Sequence, residues 1–283
     1  MRARAPASSA NLGPGFDVLA LALDLGVEVE LRAAPRFSLE AEGEGADLPA
    51  DKGHLAARVA ISVLGHDRFA LRVSSAIPVG RGLGSSAALA AAAAAAAGAA
   101  DPLGVAASLD GHPENAAASV LGGLVVAADV EGRIVARRLQ LDPALGFVVL
   151  VPDRTLLTKD ARAALGATVS RADAVANLGR LGLLIAGLAD ARLLDPAAAD
   201  DRLHQDARAV LFPEAPELLA RLRAAGALVS CWSGAGPTLL AVCRADEVAA
   251  VRAGGEVALE ATGVAGRALE LAADRSGLQV SDA

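Results

Sequence analysis

The stretch Pro78-Val-Gly-Arg-Gly-Leu-Gly-Ser-Ser-Ala-Ala88 carries the strongest chemical signal in the chain. Gly80, Gly82 and Gly84 fall at alternate positions, so the backbone can adopt positive φ and approach an anion closely. Ser85 and Ser86 then open an alanine-rich helix. The unpaired N–H groups and the dipole of such a helix start favour phosphate, and serine hydroxyls can ligate Mg2+. No Gly-Lys-Ser/Thr is present, so this is not a Walker A loop, and the glycine spacing departs from the dinucleotide fingerprint. The bland alternative is a tight turn with a serine cap.

Three further segments concentrate polar groups. Pro6-Ala-Ser-Ser-Ala-Asn-Leu-Gly-Pro-Gly-Phe-Asp17 is rich in turn formers. Its Asn11 and Asp17 can hold a polar substrate, or the segment is a plain surface loop. Asp110-Gly-His-Pro-Glu-Asn115 places Asp110, His112, Glu114 and Asn115 beside apolar stretches, where a buried polar cluster needs partners or a ligand. Asp110 can ligate Mg2+ or cap a helix, and a lone His112 can be structural. Ser233-Gly-Ala-Gly-Pro-Thr238 is a second glycine turn between apolar runs. It can approach a ligand or the first loop, or be a simple hairpin turn.

The elements that must position these segments are partly readable. Residues 27–31 alternate Val and Glu and predict a strand, with residues 37–41 as its hairpin partner. Helix is expected over 53–64, strand over 69–73, and helix over 85–97, where alanine dominates. Asp101-Pro102 and Asp195-Pro196 read as capped helix starts, and a short helix is expected from His112-Pro113. Strands are expected over 123–128, 134–139, 147–151, 227–232, 239–242 and 268–271, and helices over 158–194, 214–225 and 246–252. Strands and helices do not alternate strictly, which favours α+β over a doubly wound sheet. The texture changes near Pro152, giving an expected division into 1–152 and 153–283.

Composition sets the outer limits. The 283 residues are 54% hydrophobic but only 2% aromatic, so the core must be built from Ala, Leu and Val, with elements approaching closely. A net charge of −7 with no basic stripe argues against a nucleic-acid partner. Small nucleotides remain compatible, because backbone N–H groups and a few local charges hold them. Cys231 and Cys243 sit in apolar runs and read as buried reduced thiols, not a disulfide or metal site. The N-terminus lacks the apolar stretch of a signal peptide, and the alanine run is too short to cross a bilayer. A cytoplasmic protein with no membrane partner is expected.

These segments, in this order, resemble the GHMP kinases. Pro78 to Ala88 is similar to the phosphate loop of that family, and Ser233 to Thr238 to its C-terminal glycine motif. Pro6 to Asp17 and Gly-His-Pro-Glu-Asn narrow the resemblance to the homoserine kinases, supported by residues 157–162 and 201–208. The resemblance implies a GHMP two-domain α+β fold. Its N-terminal ATP-binding domain is like the second domain of ribosomal protein S5, and its ferredoxin-like C-terminal domain completes the substrate site. It further implies ATP binding by Pro78, Val79, Gly80, Arg81, Gly82, Leu83, Gly84, Ser85, Ser86, Ala87 and Ala88, with the phosphates on Gly80 to Ser86. Mg2+ is implied between Ser86 and Asp110. L-homoserine would be held by Asn11, Asp17, His112 and Asn115, with its carboxylate facing Arg162 and Arg208. Asn115, Arg162 and His112 are the implied catalytic side chains. Asn115 stands where other branches of the family carry an Asp base, so it is expected to orient the substrate hydroxyl, which the γ-phosphate can deprotonate. The implied product is O-phospho-L-homoserine, a step of threonine biosynthesis, and family members are often homodimers.

Two residues depart from the family pattern. Asp110 stands where Glu is usual, and Glu114 where Asp is usual. The shorter Asp110 points to water-mediated metal contact, and the longer Glu114 can re-aim the substrate pocket. They keep two alternatives open: a sister kinase acting on another small carboxylate-bearing alcohol, and a non-catalytic ATP-binding sensor.

Overall fold

The structure, a computed structural model, describes residues 1–110 and 113–282, with Asp110 described by its backbone alone. The elements run β1 (Arg2–Ala10), β2 (Leu19–Ala33), β3 (Ser38–Gly43), α1 (Leu55–Leu64), β4 (Phe69–Ser75), α2 (Ser85–Ala96), α3 (Pro102–Asp110), α4 (Pro113–Leu121), β5 (Leu124–Val130), β6 (Arg133–Leu139) and β7 (Leu145–Pro152). They continue with α5 (Thr158–Ala163), α6 (Arg171–Ala189), α7 (Gln205–Arg208), α8 (Ala215–Ala224), β8 (Val229–Trp232), β9 (Leu239–Arg244), α9 (Val248–Thr262), β10 (Gly266–Leu271) and β11 (Gln279–Ser281). Among the described residues one sheet runs β11-β1-β2-β4-β3, with β5 and β6 attached beside β2, and a second runs β10-β7-β9-β8. This is the expected α+β architecture.

The alanine helix α2 is the centre of the first layer. Ala87, Ala88 and Ala90 to Ala96 are buried, and the helix packs on β1, β2, α1, α3 and α4. Methyl side chains allow that many neighbours around one helix. A larger residue there would overpack the core, typically costing about 1–3 kcal/mol.

Several elements differ from expectation for identifiable reasons. β1 was not expected, because Arg-Ala-Arg-Ala-Pro-Ala-Ser-Ser-Ala has weak strand propensity. It forms because it pairs with both β2 and β11, burying Ala3, Ala5 and Ala7, and its register shifts at Pro6. β3 pairs in parallel with β4, not as a hairpin with β2, because α1 supplies a crossover long enough for parallel pairing. Asp195-Pro196 opens a turn and no helix. The Asp195 carboxylate accepts from Ala197 N, and the chain then bends so that Ala199 O packs on Gly13. α9 runs to Thr262, well past the expected Arg252, through Gly254 and Gly255. A Cβ on Gly255 would lie 2.7 Å from Leu150 Cδ2, so glycine there permits close helix–sheet packing.

The division expected after Pro152 crosses this arrangement: β7, before it, belongs to the second sheet, and β11, after it, to the first. α6 is long and apolar enough, by length and composition, to cross a membrane. Its Leu184, Gly187 and Leu188 are buried in the fold, and its Asn177 donates to the Asp201 carboxylate at 2.8 Å.

Candidate active site

A cleft of about 400 Å³ opens where the two glycine turns, the loop after β1, α4, α5 and α7 meet. Gly84 caps α2 in the left-handed region at φ 66°, no side chain caps the helix, and its first turn holds no acidic residue. The first-turn N–H groups of any helix lack intrahelical partners, so this uncapped start offers backbone donors of the kind that suit an anion. Pro78, Gly80, Arg81, Gly82, Leu83, Gly84, Ser85, Ser86 and Ala87 line the cleft. Val79 lines a neighbouring pocket, and Ala88 is buried in the core.

The second glycine turn packs on the first. Ser233 Oγ donates to Gly82 O at 2.7 Å, and Thr238 N donates to Arg81 O at 3.2 Å. A Cβ on Gly82 would lie 2.3 Å from Ser233 O, so glycine is required by close approach as well as by φ. Arg81 turns away toward the end of β7, donating to Pro152 O.

The loop after β1 supplies Asn11 and Asp17, both at positive φ. The Asn11 amide is tied to backbone at both ends: Nδ2 donates to Gly234 O at 2.7 Å, and Oδ1 accepts from Asp17 N at 3.0 Å. Asn11 thereby fixes Asp17, whose carboxylate accepts from Arg162 Nη2 at 2.6 Å. Arg162 and Arg208 both lie over the Phe16 ring, 5.5 and 5.3 Å from its centroid. Burial, and then the charge of Arg162, push Arg208 down to about 10. Two guanidiniums beside one carboxylate leave a surplus of positive charge that suits an anionic substrate group.

At the start of α4, Asn115 Oδ1 accepts from Ser8 Oγ at 2.9 Å, and its Nδ2 donates to Glu114 Oε1 at 3.1 Å. Glu114 is buried and also lines the cleft. His112 and the Asp110 carboxylate lie outside the described residues, so the roles expected of them have no geometry here. Among the described residues no group of three His, Cys, Asp or Glu could hold a metal alone. Ser86 and Glu114 nevertheless put hard oxygen donors on the cleft wall, a donor set that fits Mg2+ shared with phosphate oxygens and water.

Phe16, Thr158, Lys159 and His204 fall in the segments 6–17, 157–162 and 201–208, but sequence reasoning did not single them out as parts of this site. The available signals were faint: Phe16 is one of five phenylalanines, and Lys159 one of two lysines. It also missed an apolar pocket of about 390 Å³ lined by Leu48, Pro49, His54, Val79 and Leu89, which shares Ser85 and Ser86 with the cleft.

The chain is similar to known proteins over most of its length. Residues 53–123 match the GHMP kinases N terminal domain, and residues 174–256 the GHMP kinases C terminal family. The homoserine kinase of Moorella thermoacetica is 40% identical over 257 residues, covering 85% of this chain and 86% of that protein. The homoserine kinase of Streptomyces coelicolor is 40% identical over 271 residues, covering 89% and 87%. The crystal structure of homoserine kinase from Cytophaga hutchinsonii superposes with a TM-score of 0.87 at 26% identity, covering 99% of this chain and 96% of that one. L. major mevalonate kinase, 14% identical with a TM-score of 0.72, shares the fold.

Proposed function

This chain belongs to the GHMP kinase family, and from that premise we propose that it is a homoserine kinase, transferring the γ-phosphoryl group of ATP to the side-chain hydroxyl of L-homoserine. The observation that carries the substrate choice is the meeting of Arg162 and Arg208 over Phe16, in the same cleft as the uncapped start of α2. One part of the cleft suits a carboxylate and another a phosphate, the two anionic groups that a hydroxy amino acid and ATP would bring together.

Mg-ATP supplies the phosphoryl group, with the metal spreading the phosphate charge. The chain's own residues do the positioning. N–H groups at the start of α2 receive phosphate oxygens, and the Gly80, Gly82 and Gly84 turns keep side chains out of their way. Ser86, with the acidic groups at the α3–α4 junction, would hold the metal. Arg162 and Arg208 bind the substrate carboxylate, Asp17 faces its ammonium group, and Asn115 orients its hydroxyl. Asn115 is an amide and cannot act as a full base, so the phosphate oxygens take the proton. In this reading residues 1–152 bind ATP, and residues 153–283 complete the substrate site. A cytoplasmic location and the absence of nucleic-acid or membrane partners go with it, supported by the net charge of −7.

A coupled ADP-release assay with Mg-ATP and L-homoserine tests the function, with L-threonine and L-serine as controls. Turnover with L-homoserine well above both controls is expected. Equal or greater turnover with another hydroxy acid would replace the substrate, and ATP binding without ADP release for any alcohol would indicate a sensor.

A further inference from the structure

We propose that His204 is the positioning residue of Arg208: its neutral imidazole, protonated on Nε2 and bare on Nδ1, locks the guanidinium at the carboxylate end of the cleft. The proposal rests on the homoserine kinase reading, because that reading assigns Arg208 to the substrate carboxylate. The lock itself is read from side chains that the reading does not use.

The His204 side chain is fully enclosed. Nδ1 lies 3.0 Å from Arg208 Nη1, and Nε2 lies 2.9 Å from Gly13 O. A guanidinium nitrogen can only donate, so Nδ1 must accept and carry no proton. A carbonyl oxygen can only accept, so Nε2 must carry the proton. The two partners therefore fix one tautomer, and a doubly protonated ring would set two N–H groups against each other at Nδ1. Phe16 stacks on the ring at 5.0 Å with 25° between planes, which fixes its rotation. The ring's own backbone is held as well, because His204 N donates to the Asp201 carboxylate at 2.7 Å.

The consequence falls on Arg208. Its Nη1 donates both to His204 Nδ1 and to Gly234 O, at 3.0 Å each, and its guanidinium lies over the same Phe16 ring. A long arginine side chain so held loses little further freedom when a carboxylate arrives. Together His204 and Arg208 link three segments distant in sequence: His204 holds the loop at Gly13, and Arg208, at the end of α7, holds the second glycine turn at Gly234 O. His204 touches no substrate atom in this arrangement and acts through Arg208.

Two substitutions separate the two ring nitrogens. His204→Asn keeps an acceptor near the Nδ1 position, and His204→Gln keeps a donor near the Nε2 position. The readout is kcat/KM for L-homoserine divided by that for 3-aminopropan-1-ol, the same alcohol without its carboxylate. His204→Gln is expected to lower this ratio by about tenfold or more through KM for L-homoserine, with KM for ATP unchanged, while His204→Asn stays within about threefold of wild type. In the substrate-free wild-type protein, 15N spectra of the histidine rings are expected to show the Nε2–H form for His204. An Nδ1–H form, an unchanged ratio in His204→Gln, or an equal loss with both alcohols would overturn the lock. Should His204→Gln fail to fold, the His204→Asn ratio and the ring spectra still decide it. A wild-type protein inactive on L-homoserine would refute the functional reading instead, and the ring spectra would then judge the lock alone.

Discussion

Arg162 Nη2 donates to Asp17 Oδ1 at 2.6 Å across 145 residues of sequence, joining the loop after β1 to α5 on the second side of the cleft. Both side chains are about one-third exposed, so the pair adds little to stability. Its role is geometric: Asp17 engages a single guanidinium nitrogen, and Arg162 Nε has no partner among the described residues. Lysine at this position could keep a contact with Asp17 but could not present a fork to a carboxylate. Arg162→Lys should therefore raise KM for L-homoserine by roughly 10- to 100-fold, leaving KM for ATP near wild type. Initial-rate kinetics check this, and an unchanged KM for L-homoserine would remove Arg162 from the substrate site.

Ser8 is fully buried, so it reaches the chemistry only through Asn115, to whose Oδ1 it donates. With Oδ1 held by a donor and Nδ2 held by Glu114, the amide has one orientation in the cleft. Ser8→Ala removes the donor and frees the amide to rotate. A loss of roughly 1 kcal/mol of stability is expected from the missing hydrogen bond. Because a small misplacement of an orienting group is costly, kcat should fall by about tenfold with little change in either KM. Asn115→Ala should lower kcat/KM further. Wild-type kcat/KM in Asn115→Ala would end its role in orienting the hydroxyl.

Gly80 and Gly82 should not respond alike to substitution. A Cβ on Gly80 meets only the Thr155 side chain, at 3.5 and 3.6 Å, so Gly80→Ala carries mainly the strain of positive φ, about 1 kcal/mol. A Cβ on Gly82 collides with Ser233 O at 2.3 Å, and backbone on both turns must move to relieve it. Gly82→Ala should therefore separate the two glycine turns and weaken ATP binding by at least tenfold more than Gly80→Ala. Isothermal titration with a non-hydrolysable ATP analogue measures this. Equal affinities in the two variants would show that the contact between turns does not shape the nucleotide site.

Much of this was legible in the sequence, and what was not has a common physical origin. The glycine-serine loop and the alanine helix are local patterns, encoded by backbone freedom and helix propensity within one short segment. The Asp101 cap was equally local, and its carboxylate does accept from Gly104 N at 2.9 Å. What stayed hidden depends on partners far along the chain. Ala3, Ala5 and Ala7 become a strand only between β2 and β11, and glycine is required at positions 254 and 255 inside α9 because Ala225, just after α8, and Leu150, on β7, stand where Cβ atoms would lie. The same holds for the site. Phe16 and His204 lie in segments that resemble the family, but their stacking and the hold of His204 on Gly13 O exist only when the loop after β1 and α7 are folded against each other.

The enclosed His204 ring also predicts a pH dependence of stability with a definite sign. Burial is the main cause that lowers it from its ordinary 6.5 to about 4; Arg208 adds to the lowering, while Asp201, Asp17 and the Gly13 carbonyl oppose it. In the unfolded chain the ring takes up a proton as the pH falls through 6.5, whereas the folded protein resists until about 4. Between those values the unfolded state binds more protons, so stability rises with pH. The contribution is complete above about pH 7, is lost progressively below 6.5, and levels off below 4; its full size is on the order of 3 kcal/mol. Burial lowers His54 as well, so the measurement is the difference between wild type and His204→Gln in urea unfolding at a series of pH values. The difference should slope between pH 4 and 6.5 and be flat above 7. A difference independent of pH would mean that the folded ring protonates as readily as the unfolded one.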